Sequence, residues 1–174
     1  MSLKTKRVLV LAADYFEESE LIYAVYRLKE EEIEVVVAGV TAANVKGKNG
    51  MVAFPVDASV EDIDTTTFDA VVIPGGFAPD LLRRSTRVLD VVREMDAAGK
   101  PVATVCHGGW VTISAGIVSG RKATSVSAIK DDMVNAGATY VDEAVVVDGN
   151  LITSRVPADM GPWMKAVIAA LEEA

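Results

Sequence analysis

Thiol and imidazole are scarce in this chain, whose 174 residues include one cysteine, Cys106, and one histidine, His107. A lone cysteine excludes an intrachain disulfide and fits a reducing, cytoplasmic compartment. One Cys and one His cannot build a thiolate–imidazole zinc site within one chain, so no metal is expected. Long apolar runs are also missing. Hydrophobic residues make up 51% of the chain, yet Val8–Ala13, Val35–Val40 and Ala144–Val147 are the longest bursts. Each is far short of the roughly 20 residues that a membrane-spanning helix needs. No signal-peptide pattern opens the sequence, because Lys4, Lys6 and Arg7 lead directly into a strand-like run. Met1–Leu3 carries no structural weight. Basic charge is in deficit, with 17 Lys and Arg against 25 Asp and Glu, a formal net charge of −8. The basic residues are scattered, which argues against nucleic acid or an anionic membrane as partner. No Gly-x-Gly-x-x-Gly and no P-loop follows any strand, so no cofactor is expected.

What is present is an alternation. Apolar runs of strand length give way to longer amphipathic stretches, the signature of βαβ units and a parallel sheet. Arg7–Ala12, Ile33–Ala38, Asp69–Pro74 and Val102–Val105 read as strands, followed by late strands at Ala144–Val147 and Leu151–Ser154 around Asp148-Gly149-Asn150. Ile33–Ala38 shows almost no alternation, as a strand covered on both faces should. Glu17–Glu31 reads as a helix with Leu21, Ile22, Val25 and Leu28 on one face. Further helices are expected at Arg87–Ala98 (stopped by Gly99), Gly108–Gly116, Lys130–Asn135 and Asp159–Glu173. Lys48-Asn49-Gly50 within 44–57 suggests a small hairpin excursion. With no linker, repeat or low-complexity tract, residues 1–174 read as one doubly wound domain. Its ligands gather at the carboxyl ends of the strands, where loops 13–16, 74–77 and 106–109 meet.

Cys106 follows Val102-Ala103-Thr104-Val105 and precedes His107-Gly108-Gly109. A strand that turns abruptly into a helix at a nucleophile exposes the side chain and aims the helix N-terminus at it. On that reading Cys106 is a nucleophile with a pKa below the free-thiol value of about 8.5. The plainer reading of a lone cysteine is a small core residue. His107 is the only available imidazole base, although neighbours on a regular helix do not face each other. A solvent-facing or carboxylate-paired histidine is the alternative. Glu17, Glu18 and Glu20 open the first helix, where the dipole favours carboxylates. Glu17 directly follows the first strand's loop and is the carboxyl expected to reach the Cys106 sulfur. Pro74-Gly75-Gly76 offers backbone N–H groups as an oxyanion hole.

These segments together resemble the ThiJ/PfpI superfamily, in its branch of PfpI-type intracellular proteases. Phe16-Glu17-Glu18-Ser19-Glu20-Leu21, Pro74-Gly75-Gly76 and Val105-Cys106-His107-Gly108 carry the likeness in the first two thirds. Ile129-Lys130-Asp131-Asp132-Met133 through Asn135-Ala136-Gly137 continues it, as does Asp148 through Arg155 with Pro157 and Asp159. The resemblance implies a three-layer, mostly parallel, flavodoxin-like or class I glutamine amidotransferase-like fold. It implies Cys106 as nucleophile, Glu17 as pocket carboxyl, and the N–H groups of Gly76 and His107 as oxyanion donors. It also implies that Asp80 pairs with His107 of a neighbouring subunit in a homo-oligomer, a dimer or a trimer of dimers. Relatives often carry Glu where Asp80 stands. Gly109 replaces a common Pro, Val126 a pocket Tyr, and Trp110 narrows the pocket. Members of the superfamily act as peptidases, glyoxalases, deglycases, isonitrile hydratases and amidotransferase-like enzymes, or as redox sensors and chaperones. The leading expectation is a cysteine hydrolase attacking the carbonyl of a peptide or an aldehyde such as methylglyoxal. A glyoxalase or deglycase, and a non-catalytic stress sensor, are the alternatives.

Overall fold

The computed structural model describes residues 2–50 and 53–173. Met51 and Val52, inside the expected hairpin excursion, lie outside the described residues, as do Met1 and Ala174.

The chain opens with β1 (Arg7–Leu11), α1 (Glu18–Glu30) and β2 (Glu34–Gly39), within a residue or two of the sequence reading. Then come β3 (Ala58–Ser59), β4 (Ala70–Ile73), α2 (Ala78–Leu82), α3 (Thr86–Ala97) and β5 (Val102–Val105). After the turn at Cys106 follow α4 (Gly109–Ala115), β6 (Lys122–Ala123), α5 (Lys130–Asn135) and β7 (Thr139–Tyr140). The chain closes with β8 (Val145–Asp148), β9 (Leu151–Ser154) and α6 (Met160–Glu173). The excursion after β2 pairs Val45 with Phe54 across a short antiparallel bridge. Sequence patterning missed β3, α2, β6 and β7.

Among the described residues a seven-stranded sheet runs in the order β3-β2-β1-β4-β5-β9-β8, and only its β8–β9 pairing is antiparallel. The small β6–β7 sheet lies apart from it. β1, β4 and β5 are buried almost throughout, because helices cover both faces of the sheet. One layer holds α1 against α6, and the other packs α2, α3, α4 and α5 together. This doubly wound, flavodoxin-like architecture reverses strand order between β1 and β4. Ligand sites of such sheets lie in the crevice outside the strand carboxyl ends at that reversal. The loops after β1, β4 and β5 meet there.

Candidate active site

Cys106 stands at φ +60°, a left-handed conformation that a residue with a Cβ adopts only when its surroundings enforce it. Val105 before it is extended, and a single 3₁₀ turn, Cys106–Gly108, leads into α4. Gly108 permits this turn, since a Cβ there would lie 2.5 Å from the Ile73 carbonyl oxygen. The strained elbow expected from sequence is therefore present, but it leaves the Cys106 side chain buried and not exposed as expected. It also bends the neighbouring pair together, leaving Cys106 Sγ 3.3 Å from His107 Nδ1. The backbone N–H groups of His107 and Gly76 both donate toward the sulfur.

The carboxyl at the sulfur is Glu20, and the assignment of that place to Glu17 is overturned. Glu20 is fully buried, and its Oε2 accepts from Gly75 N–H at 2.7 Å. It is also the carboxyl that interacts with the Cys106 thiol. Glu17 faces away, accepting from Ser19 Oγ at 2.7 Å and pairing with Lys48 Nζ at 2.7 Å. Helical phase explains the difference. Leu21, Ala24, Val25 and Leu28 form the buried stripe of α1, and one turn back from Ala24 the same stripe falls on Glu20. A carboxyl on the core face of an amphipathic helix was the available signal.

Gly75 also departs from its expected role. Its N–H is occupied by Glu20, so Gly76 N–H is the loop donor that reaches the sulfur. Gly75 instead provides room, because a Cβ there would lie 2.7 Å from Glu20 Oε2 and 2.8 Å from Cys106 Cβ. The Trp110 ring lies 5.0 Å from that of His107, and its N–H is held by Asp132 at 2.8 Å. Phe77, 6.5 Å from the imidazole, and Tyr15 are exposed at the rim. Asp80 pairs with Arg84 on the next turn of its own segment. Among the described residues no bond joins Asp80 to His107 of the same chain.

The electrostatics reverse the expectation of a lowered thiol pKa. Burial, and then the negative charge of Glu20, push Cys106 up to about 12 against the pull of the two N–H groups. Burial likewise raises Glu20 to about 7, despite the Gly75 N–H. Protonating Glu20 removes its repulsion and lets the carboxyl donate to sulfur, so thiolate belongs with a neutral Glu20. The two groups titrate as a pair. Burial, and then the Lys48 charge, lower the pKa of His107 and favour neutral imidazole.

A flavodoxin-like domain with a strained cysteine at the sheet's switch point, a buried carboxyl beside it and two N–H donors defines a cysteine-centred α/β class. Residues 6–170 match the model of the DJ-1/PfpI family, and the chain belongs to that family. It is 47% identical over 166 residues to a deglycase of Pyrococcus abyssi, covering 95% of this chain and 99% of the relative. The deglycase PfpI of Pyrococcus furiosus is 44% identical over 166 residues, with the same coverage. Among solved structures, a two-domain protein of Anabaena variabilis with DJ-1/ThiJ/PfpI-like and ferritin-like domains superposes at a TM-score of 0.94. That match is 43% identical and covers 96% of this chain and 48% of the other. Among the described residues no helix is long and apolar enough to cross a membrane.

Proposed function

We propose that the protein is a cysteine-dependent deglycase, acting on adducts that α-oxoaldehydes such as methylglyoxal form with amines. The observation that carries this reading is Glu20, a buried carboxyl with a pKa near neutrality placed against the Cys106 sulfur. Such a group can both take and return a proton at working pH. Cys106 displaces the amine from the carbinol carbon of the adduct, so that a C–S bond forms as the C–N bond breaks and a proton goes to the amine. Glu20 then moves the proton on that carbon to the neighbouring oxo carbon. The oxygens that gain negative charge face the N–H groups of Gly76 and His107. The product is a thioester of a 2-hydroxy acid, which water cleaves to the acid and free thiol. The relatives named as deglycases support the same chemistry.

Peptide hydrolysis is the second reading, favoured by the Cys106–His107 contact of 3.3 Å. A peptide's leaving amine needs a proton from an imidazolium, and the lowered His107 pKa works against that form. The test assays wild type and Cys106→Ala on methylglyoxal, on methylglyoxal-treated N-acetyl-arginine and N-acetyl-lysine, and on unmodified peptides. Hydroxy-acid and free-amine release that vanishes in Cys106→Ala is expected. Release that persists in that variant, or cleavage confined to peptides, would overturn the reading.

A further inference from the structure

The sequence reading placed Lys48 in a hairpin excursion and not in the site, yet the backbone fixes it at the edge of the pocket. Phe16 bridges Gly76 on one side and Gly47 on the other, so the oxyanion loop and the 46–48 segment flank a single residue. Lys48 N–H donates to the Phe16 carbonyl at 2.9 Å, and Tyr15 N–H to the Lys46 carbonyl at 2.6 Å. Asn49 ties the same segment to α1 by bonds of 2.7 and 2.8 Å to Glu18. At the end of this anchored segment the Lys48 ammonium sits 2.7 Å from Glu17 Oε2, its side chain one-third exposed.

The charged groups around Cys106 are Glu20 on α1, Glu17 at its N-cap, His107 on the elbow and Lys48 on this segment. Lys48 acts electrostatically on three of them: after burial it lowers the proton affinity of His107, it partly offsets the rise that Glu17 causes in Glu20, and it interacts with the charge on Cys106. Among these groups it is the one with a permanent positive charge at neutral pH. Glu17 is fixed by Ser19, so the ion pair keeps a flexible lysine from drifting into solvent.

We propose that Lys48 is a positioning residue whose ammonium, held by Glu17, is the counter-charge for the single negative charge that Cys106 and Glu20 share. It touches no reacting atom and acts through the pair. Glu17, displaced from its expected contact with sulfur, thereby keeps an indirect role. This inference rests on Cys106 being the reactive group of the proposed function, and not on the identity of the carbonyl substrate.

The test is the pH dependence of Cys106 alkylation by iodoacetamide in the intact protein, in wild type, Lys48→Gln and Lys48→Arg, with thermal melts to confirm folding. A cation stabilises ionised forms, so its loss moves the alkylation midpoint upward. We expect a shift of about half a pH unit or more in Lys48→Gln, roughly threefold slower labelling below the midpoint. Lys48→Arg, which keeps the charge, should restore the wild-type profile. An unmoved midpoint in Lys48→Gln overturns the proposal, and so does a Lys48→Arg profile that matches Lys48→Gln instead of wild type. No aldehyde or peptide enters this assay. A shifted profile in a protein without deglycase activity would sink the substrate reading while leaving the role of Lys48 intact.

Discussion

Two carboxyl groups three residues apart, Glu17 at the N-cap of α1 and Glu20 in its first turn, have opposite surroundings, and the difference is measurable. Glu20 is buried with a pKa raised to about 7, whereas Lys48 and Ser19 hold Glu17 below the ordinary carboxylate range despite its own burial. A raised acid pKa means that the folded protein binds a proton that the unfolded chain has already lost. Glu20 therefore favours folding fully below about pH 4.5, and that contribution is lost as pH rises to about 7. On the order of 3 kcal/mol is involved for a group this buried. Glu20→Gln removes the titration, so its stability relative to wild type should rise across that window when urea unfolding is followed at several pH values. A constant difference would mean that Glu20 does not titrate there. The same variant should leave Cys106 alkylation with a single inflection, since its coupled partner is gone. Cys106 was legible because a nucleophile elbow needs a strand before it and glycine after it. Glu20 was passed over for Glu17 because the apolar face read from Leu21, Ile22, Val25 and Leu28 omits Ala24, the buried residue one turn on from Glu20.

At the scale of elements, long segments were legible and short ones were not. β1, β4 and β5 are continuous apolar runs and α3 carries a helical period, and β9 and α5 fall where the sequence reading put them. β3, β6 and β7 are two residues each and α2 is five, too short to show a period, and tertiary pairing alone makes them regular. The glycine loop between β4 and α2 was legible as a site element, but its two glycines do different work. Gly76 sits at φ +77° with its place for a Cβ filled by the backbone of residues 15–17. Gly76→Ala should therefore cost more than the roughly 1 kcal/mol of an ordinary strained alanine, read as a lower urea midpoint. Gly75 has no such φ, and its missing Cβ makes room for Glu20 and Cys106. Gly75→Ala should change Cys106 alkylation more than it changes stability. Equal stability losses in both variants, with alkylation untouched, would make the loop a purely structural turn.

The molecule as a whole buries its reactive pair but leaves aromatic side chains exposed close by. Tyr15 is 56% and Phe77 61% exposed, and the Phe77 ring lies 6.5 Å from that of His107. Exposed apolar surface gathered at one edge marks an interaction site. Tyr15 also holds a strained φ of +64°, and its carbonyl accepts the Phe77 N–H at 2.8 Å, so the two rings project from one braced edge. We propose that copies of this chain assemble over that edge, and that Asp80 of one copy approaches His107 of another. Within one chain Asp80 is engaged with Arg84, an exposed pair worth little, which an imidazole partner can replace at small cost. Light scattering at micromolar concentration should then give a multiple of the 18.4 kDa chain mass. Phe77→Glu should dissociate the assembly without unfolding the monomer, since that side chain packs mainly against solvent. If Asp80 serves the neighbouring site, mixed Asp80→Ala and Cys106→Ala subunits should recover activity that neither has alone. A monomer with full activity would exclude the shared site. An oligomer without recovery on mixing would keep the interface but return His107 to its own chain, leaving Cys106 and Glu20 to carry the chemistry unaided.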